Sequence, residues 1–217
     1  MEQAKRVLVM TAVEAEREAV ARGLAGDGRF DVMLAGVGPA QAAANTAAAL
    51  AAADYGLVIS AGIAGGFAGR AELGGLVVSS EIVAADLGVE TQEGFIGVDE
   101  LGFGSARVAV DRTTADRLAG ALRKAGLPAC CGPIVTVSTA TGTAATASAL
   151  AERVPGAAAE GMEGFGVATA AQLRGLPVLE IRAISNPVGP RDRASWKIRE
   201  ALDALQSAGP ILLEVLG

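Results

Sequence analysis

The sequence predicts a three-layer α/β/α sandwich with a central mixed, largely parallel sheet, and three observations predict it. Apolar runs of strand length recur along the 217 residues. Several of these runs end in a turn of small residues, and a helix-compatible segment follows the turn. No internal repeat accompanies this alternation. The length suits one domain over residues 1–217 with a full core.

The elements follow in order. Arg6–Thr11, RVLVMT, reads as a buried strand, and the following AVEAEREAVARGL reads as a helix. On that helix Glu14 and Glu18 share a face with Arg17 and Arg22 within pairing distance. Glu16 does not share it: its neighbours three and four residues on are Ala19 and Val20. A carboxylate against an apolar wall has its pKa raised, which suits a general acid or base. The same residue also reads as an acidic first turn answering the helix dipole.

The next segment carries a strand through Gly36-Val37-Gly38-Pro39 into a long Ala-rich helix. Gly-x-Gly at such a turn allows close backbone approach, but Gln41 occupies the third glycine position of a dinucleotide fingerprint. GLVISAGIAGGF is a further strand whose Gly-rich end offers backbone amides to a hydroxyl, a water or an anion. It lacks the Gly-Lys-Ser/Thr of a phosphate loop. LGGLVVSSEIVAADLGVE is another strand, and ETQEGFIGVDELGFG reads as a polar, Gly-rich loop over a site. Arg112 to Gly126 forms an amphipathic, outward-facing helix. GPIVTVSTATGTAATASALAERV passes from strand through Ser138-Thr139-Ala140-Thr141-Gly142 into a helix. The tail from Ala194 to Gly217 is helical, with an interruption expected at Gly209-Pro210.

Composition excludes several function classes. The net charge is -6, with no block of Lys or Arg, which argues against a nucleic-acid binder. Lys5 and Arg6 precede an apolar run too short for a signal peptide or a membrane span, so a cytoplasmic protein without membrane association is expected. Cys130 and Cys131 are adjacent, a poor geometry for a disulfide, and are expected to be reduced, buried and inert. The chain has no histidine, which excludes a Ser-His-Asp triad and most zinc sites. No metal or cofactor is expected.

The chemistry concentrates between Glu160 and Arg193, EGMEGFGVATAAQLRGLPVLEIRAISNPVGPRDR. Arg182 lies inside an apolar strand, where a guanidinium needs a partner. It reads either as part of a ligand crevice at the carboxyl end of a sheet or as a structural ion pair with Glu180, Glu163 or Glu160. Asn186 before Pro187 also reads as an ordinary turn former.

In this order, AxExE at residues 12–16, AGxAGG at 61–66, the small-residue turn before residue 145, Met162-Glu163-Gly164 and RAISN at 182–186 resemble the purine nucleosidase and nucleoside phosphorylase superfamily, especially the methylthioadenosine/adenosylhomocysteine nucleosidases. EGMEGFG together with RAISNPVGPRDR is closer still to its futalosine hydrolase branch, which releases hypoxanthine from futalosine in menaquinone biosynthesis. The resemblance implies that Glu16 deprotonates the attacking water and that Arg182 helps hold it. It implies that Glu163 binds the ribose hydroxyls and that Met162 packs beneath the sugar; Ile63, Thr139 and Ala140 are candidate substrate contacts, and Phe95, Phe103 and Phe165 are candidates for ring contact with the substrate. Ile63 departs from a serine common in related enzymes. Asn186 departs from an aspartate of the adenine-specific nucleosidases; its NH2 complements N7 and O6 of hypoxanthine, both acceptors. Arg193, with Arg191, Trp196 and Lys197, is a candidate to receive the carboxylated 5′ tail of futalosine, although a solvated helix start explains these residues equally. A small-molecule nucleoside substrate and a homo-oligomer are also implied. An adenine-releasing nucleosidase, a phosphate-dependent phosphorylase, a non-catalytic nucleoside binder and a scaffold with an incidental cleft remain as alternatives.

Overall fold

The computed structural model describes residues 6–217; Lys5, part of the N-terminal reading above, lies outside them. Strand β1 (Val7–Thr11) leads into α1 (Glu14–Gly23), β2 (Phe30–Leu34) into α2 (Pro39–Ala52), and β3 (Leu57–Gly66) turns back into β4 (Leu76–Ala84). A hairpin of β5 (Gly88–Thr91) and β6 (Gly94–Gly97), the short α3 (Val98–Leu101) and β7 (Arg107–Ala109) precede α4 (Arg112–Lys124). Then come β8 (Ala129–Thr136), α5 (Ala144–Arg153), β9 (Ala159–Gly161), α6 (Gly164–Leu173), β10 (Val178–Pro187), a 3-10 turn (Arg193–Ser195) and α7 (Ile198–Leu216).

The sheet is mixed and largely parallel. β1 pairs in parallel with β2 and β3, β3 with β10, and β8 with β4 and β9. Antiparallel pairs join β10 to β4, β3 to β9 and β4 to β7. Because β3 meets both β9 and β10, the path β3-β10-β4-β8-β9 closes on itself. The carboxyl ends of β3 and β10 therefore converge beside β9.

Helices cover both faces. Period-two alternation sends Val7 and Val9 of β1 into a core with α1, α4 and α7, and Leu8 and Met10 into a second core with α2 and α6. On α4, Ala115, Leu118, Ala119 and Leu122 are buried, as its amphipathic pattern requires.

Three expectations are corrected. The tail helix runs through Gly209-Pro210 without a break. Pro210 has no N–H for the Gln206 carbonyl, and that carbonyl faces Gly23 of α1, where any Cβ would meet it; glycines on both helices let α7 lie tightly on α1. The stretch after Glu90 is the β5–β6 hairpin with α3, not a loop over the cleft: Phe95 lies under the guanidinium of Arg153, 3.6 Å from its ring centre. Cys130 and Cys131 are half-buried rather than buried. Successive residues of a strand point to opposite faces, and burial pushes the Cys131 thiol up to about 11, so it is a poor nucleophile. Among the described residues no helix is long and apolar enough to cross a membrane.

Candidate active site

A cleft of about 280 Å³ opens where the ends of β3, β9 and β10 meet the start of α1. Glu16, the third residue of α1, is almost wholly buried at its floor. Its Oε2 accepts from the amides of Ala12 (2.9 Å) and Val13 (3.2 Å), and its Oε1 from the Ile63 amide (2.8 Å). The helix start and the Gly-rich strand thus grip one carboxylate between them. Burial raises the Glu16 pKa, against the opposing effects of Arg182 and these amides. The dipole reading and the acid-base reading coincide, since the carboxylate that caps the helix also lines the cleft.

Glu163 sits at the N-cap position of α6 and is buried at the cleft wall. Its Oε1 accepts from the Gly38 amide (3.3 Å) and its Oε2 from the Met162 amide (3.3 Å). Gly36 and Gly38 have φ of 79° and 87°, a conformation that favours glycine. The Gly-x-Gly turn therefore sets its Gly38 amide against a carboxylate of its own chain.

Behind this wall lies Arg182, 1% exposed. Its Nε donates to Glu180 Oε1 (2.7 Å), Nη1 lies 3.2 Å from Glu163 Oε2, and Nη2 donates to Ser60 Oγ (3.3 Å). Nη1 also reaches the Ile63 carbonyl at 3.4 Å. Burial opposes the guanidinium charge, but Glu180, Glu163 and Glu16 together hold its pKa above the ordinary range. Burial raises the pKa of Glu180, whose Oε2 has no hydrogen-bond partner. Glycines make room for this network. A Cβ on Gly62 would sit 2.7 Å from both Arg182 Nη1 and Glu16 Oε1, and one on Gly161 would sit 2.9 Å from the Arg182 Cζ.

The β10 side of the cleft holds Asn186, half-buried after a register shift in that strand. Its Nδ2 donates to the Pro187 carbonyl (3.0 Å) and its Oδ1 accepts from the Ser185 hydroxyl (2.9 Å). Flipping the amide would set two oxygens against each other at Pro187, so these contacts fix its orientation. One N–H of Nδ2 remains to donate.

The structure brings Glu16, Ile63, Ala140, Met162, Glu163 and Asn186 to the cleft. It does not bring the others. Phe165 packs into the α2–α6 core with its amide donating to Thr136 Oγ1. Thr139 points to solvent, and Thr141 lines the cleft instead. Arg193 lies over Trp196, 5.7 Å from the ring centre, and does not line the cleft, whereas Arg191 and Trp196 do. Arg182 supports the wall rather than lining it, and of its three sequence-level partners it contacts Glu180 and Glu163 but not Glu160. Glu160 lines the cleft and had no role in the substrate reading of the sequence. Strand alternation, which carries Glu160 to the same side as Met162, was the available signal. Among the described residues no group of three or more His, Cys, Asp or Glu converges to hold a metal ion.

Residues 6–216 match the family model of the phosphorylase superfamily. Futalosine hydrolase of Streptomyces coelicolor is 52% identical, over 97% of this chain and 96% of its own length. The Acidothermus cellulolyticus enzyme of that name is 47% identical, over 93% and 87% respectively. The chain belongs to the phosphorylase superfamily, within its futalosine hydrolase family. Among solved structures, Helicobacter pylori futalosine hydrolase superposes with a TM-score of 0.84 at 15% identity, covering 99% of both chains. The 5′-methylthioadenosine/S-adenosylhomocysteine nucleosidase of Neisseria meningitidis gives 0.80 at 22% identity, over 97% of this chain and 99% of its own. At those identities the two structures speak for the fold: a mixed sheet flanked by helices.

Proposed function

We infer that the protein hydrolyses the N-glycosidic bond of futalosine, releasing hypoxanthine and dehypoxanthine futalosine, a step of menaquinone biosynthesis. The observation that carries hydrolysis is the charge of the cleft. Three carboxylates, Glu16, Glu160 and Glu163, line it with Arg191 as their cationic counterpart. Such a wall repels phosphate and suits a neutral water as nucleophile. The family relationship supplies the substrate.

Glycosidic cleavage develops positive charge on the sugar, as in other glycoside hydrolyses. The Glu163 carboxylate accepts from the ribose hydroxyls and lies near that charge, and Met162 packs against the sugar. Glu16, aimed by three amides, takes the proton of the attacking water. Asn186 donates to the departing hypoxanthine, which is therefore a better leaving group. Arg182 is a positioning residue: by holding Glu163 and Glu180 it fixes the wall on which the ribose rests. Arg191 and Trp196 face the 5′ tail; the guanidinium stacks 4.9 Å from the indole centre and offers a cation to the tail carboxylate. The protein acts as a homo-oligomer, a reading supported by exposed Met33 and Leu34 on the edge strand β2.

The test is hypoxanthine release from futalosine, with and without phosphate, beside adenine release from methylthioadenosine. Phosphate-independent release from futalosine is expected. Adenine release would place the protein with the adenine nucleosidases, and a phosphate requirement would make it a phosphorylase.

A further inference from the structure

Glu180 is wholly buried behind the cleft and lines no part of it. Leu179, Ile181 and Ala183 of β10 pack into the core with α1, α4 and α7, so alternation turns Glu180 and Arg182 to the opposite face, which α6 covers. On that face β3 and β4 bring the hydroxyls of Ser60 and Ser79, and α6 carries no charged residue from Gly164 to Leu173. The charges that reach Glu180 are those of Arg182 and Glu163.

The shorter carboxylate contact of Arg182 goes to Glu180, Nε to Oε1 at 2.7 Å, against 3.2 Å from Nη1 to Glu163 Oε2. Holding Glu163 in place takes one cation, and an apolar residue at position 180 would be the less costly filling. The carboxylate is instead kept at a cost. Its Oε2 is buried without a hydrogen-bond partner, a feature that calls for an explanation. The first turn of α6 also makes room for it, because a Cβ on Gly164 would lie 2.1 Å from that oxygen.

The effect of Glu180 falls on the cleft. Arg182 faces Glu16 across Gly62, whose Cβ would stand 2.7 Å from each, and its charge opposes the rise that burial causes in the Glu16 pKa. The other charged groups around Glu16 are Glu163 beside it and Glu160 and Arg191 on the cleft wall. With a carboxylate against its Nε, the guanidinium sends less of its field to the cleft.

We propose that Glu180 is a positioning residue that holds the Arg182 charge to the far side of the wall, so that Glu16 and Glu163 face the substrate without a full counter-charge. This rests on the functional reading above and deepens it. Glu16 stays basic enough to take the proton of water, and the wall keeps the negative potential that favours a positively charged sugar.

The experiment follows hypoxanthine release from futalosine against pH, and titrates the glutamate carboxyl carbons by NMR, in the wild type, Glu180→Gln and Glu180→Asp. Glu180→Gln keeps an acceptor for Arg182 Nε and removes the charge. Its acid limb of kcat/KM, and the Glu16 resonance with it, should move about one pH unit lower. Its kcat should fall about tenfold with KM little changed, the pattern of an interaction made only in the transition state. Glu180→Asp keeps the charge and should leave the acid limb in its wild-type position. If Glu180 is only structural, Glu180→Gln will lose stability or kcat while the acid limb and the Glu16 resonance stay in place, and the proposal falls. It also falls if Glu180→Asp moves the limb as far as Glu180→Gln does. Where Glu180→Gln does not fold, the wild type decides: its Glu180 resonance, assigned by its absence from Glu180→Asp, should be that of an ionised carboxylate at the pH of highest activity, and a protonated one overturns the proposal. A wild type that releases no hypoxanthine from futalosine overturns the functional reading instead, while the Glu16 titration, which needs no substrate, still judges the placement of charge.

Discussion

Gly62→Ala tests whether the distance between Glu16 and Arg182 is set by the absence of a side chain. Gly62 lies inside β3 with no positive φ, so alanine fits the backbone and only space is at issue. The new Cβ would stand 2.7 Å from Glu16 Oε1 and 2.7 Å from Arg182 Nη1. Ordinary contact is nearer 3.5 Å, so the methyl must push one or both groups back by roughly 0.8 Å. Neither is a free chain end. Glu16 Oε1 is held by the Ile63 amide at 2.8 Å, and a retreat of that size takes the bond to about 3.6 Å, where it no longer counts as one. Losing a hydrogen bond to a charged group costs about 1.5–3 kcal/mol. A base misplaced by about 1 Å costs about 10²-fold in rate. Gly62→Ala should therefore fold with a lowered midpoint in thermal unfolding and lose about two orders of magnitude in kcat/KM for hypoxanthine release. Gly120→Ala is the control: in α4 its Cβ meets only Arg123 Nη2 at 4.0 Å, and alanine should be neutral or stabilise by about 0.5–1 kcal/mol. A Gly62→Ala enzyme with more than a third of wild-type kcat/KM would refute the placement of Glu16 as the base.

Other expectations concern the same network. Arg182→Met leaves Glu180 and Glu163 buried without their cation, so denaturant titration should show about 3–5 kcal/mol less stability, with part recovered on adding Glu180→Leu; an unchanged midpoint would mean the pair carries no charge. The folded-state pKa of Glu16 is raised above its ordinary 4.5. The carboxylate form needed for catalysis is therefore lost as pH falls through that raised value, and the acid limb of kcat/KM should have its midpoint above 4.5. In stability the sign is opposite: the contribution of Glu16 favours the fold below its unfolded pKa and is lost as pH rises through the folded one. An acid limb at or below 4.5 would contradict this. Arg191→Ala should raise KM for futalosine but not for inosine, which lacks the tail, while Arg193→Ala should change neither; equal effects of the two would remove the tail from the Arg191–Trp196 face.

Legibility in the sequence followed the reach of each physical signal. The strands and helices were readable because apolar periodicity is local, and the alternation of strand, small-residue turn and helix implied the layered sheet. Glu16 was readable for the same reason, since i+3 and i+4 neighbours show which way a helical carboxylate points. The sequence misled where position depends on a partner far along the chain. Pro210 looked like a break because nothing near it reveals that Gly23 lies across from the carbonyl it leaves free. Phe165 looked like a ring for the substrate because its place in the core depends on α2, more than a hundred residues earlier. Arg191 and Arg193 differ by two residues and both lie over the Trp196 ring, yet only the fold shows that Arg191 lines the cleft and Arg193 does not.

The arginine at position 182 shows why both of its sequence readings were incomplete. Read as an ion pair, it explains Glu180 and Glu163 but not why two glycines, Gly62 and Gly161, crowd it. Read as a group on the substrate, it conflicts with its burial. A guanidinium facing three carboxylates leaves a surplus of negative charge in a low-dielectric wall, a costly arrangement for stability alone. The pKa values of Glu16 and Glu180 are raised by burial first and by the neighbouring Glu163 charge well after it. In the proposed reaction, negative potential at the cleft floor favours a positively charged sugar in the transition state. Gly62, Gly161 and Gly164, each at a point where a Cβ would strike Arg182, Glu16 or Glu180, keep that potential within reach of the sugar. Filling any one of them should therefore cost turnover before it costs the fold.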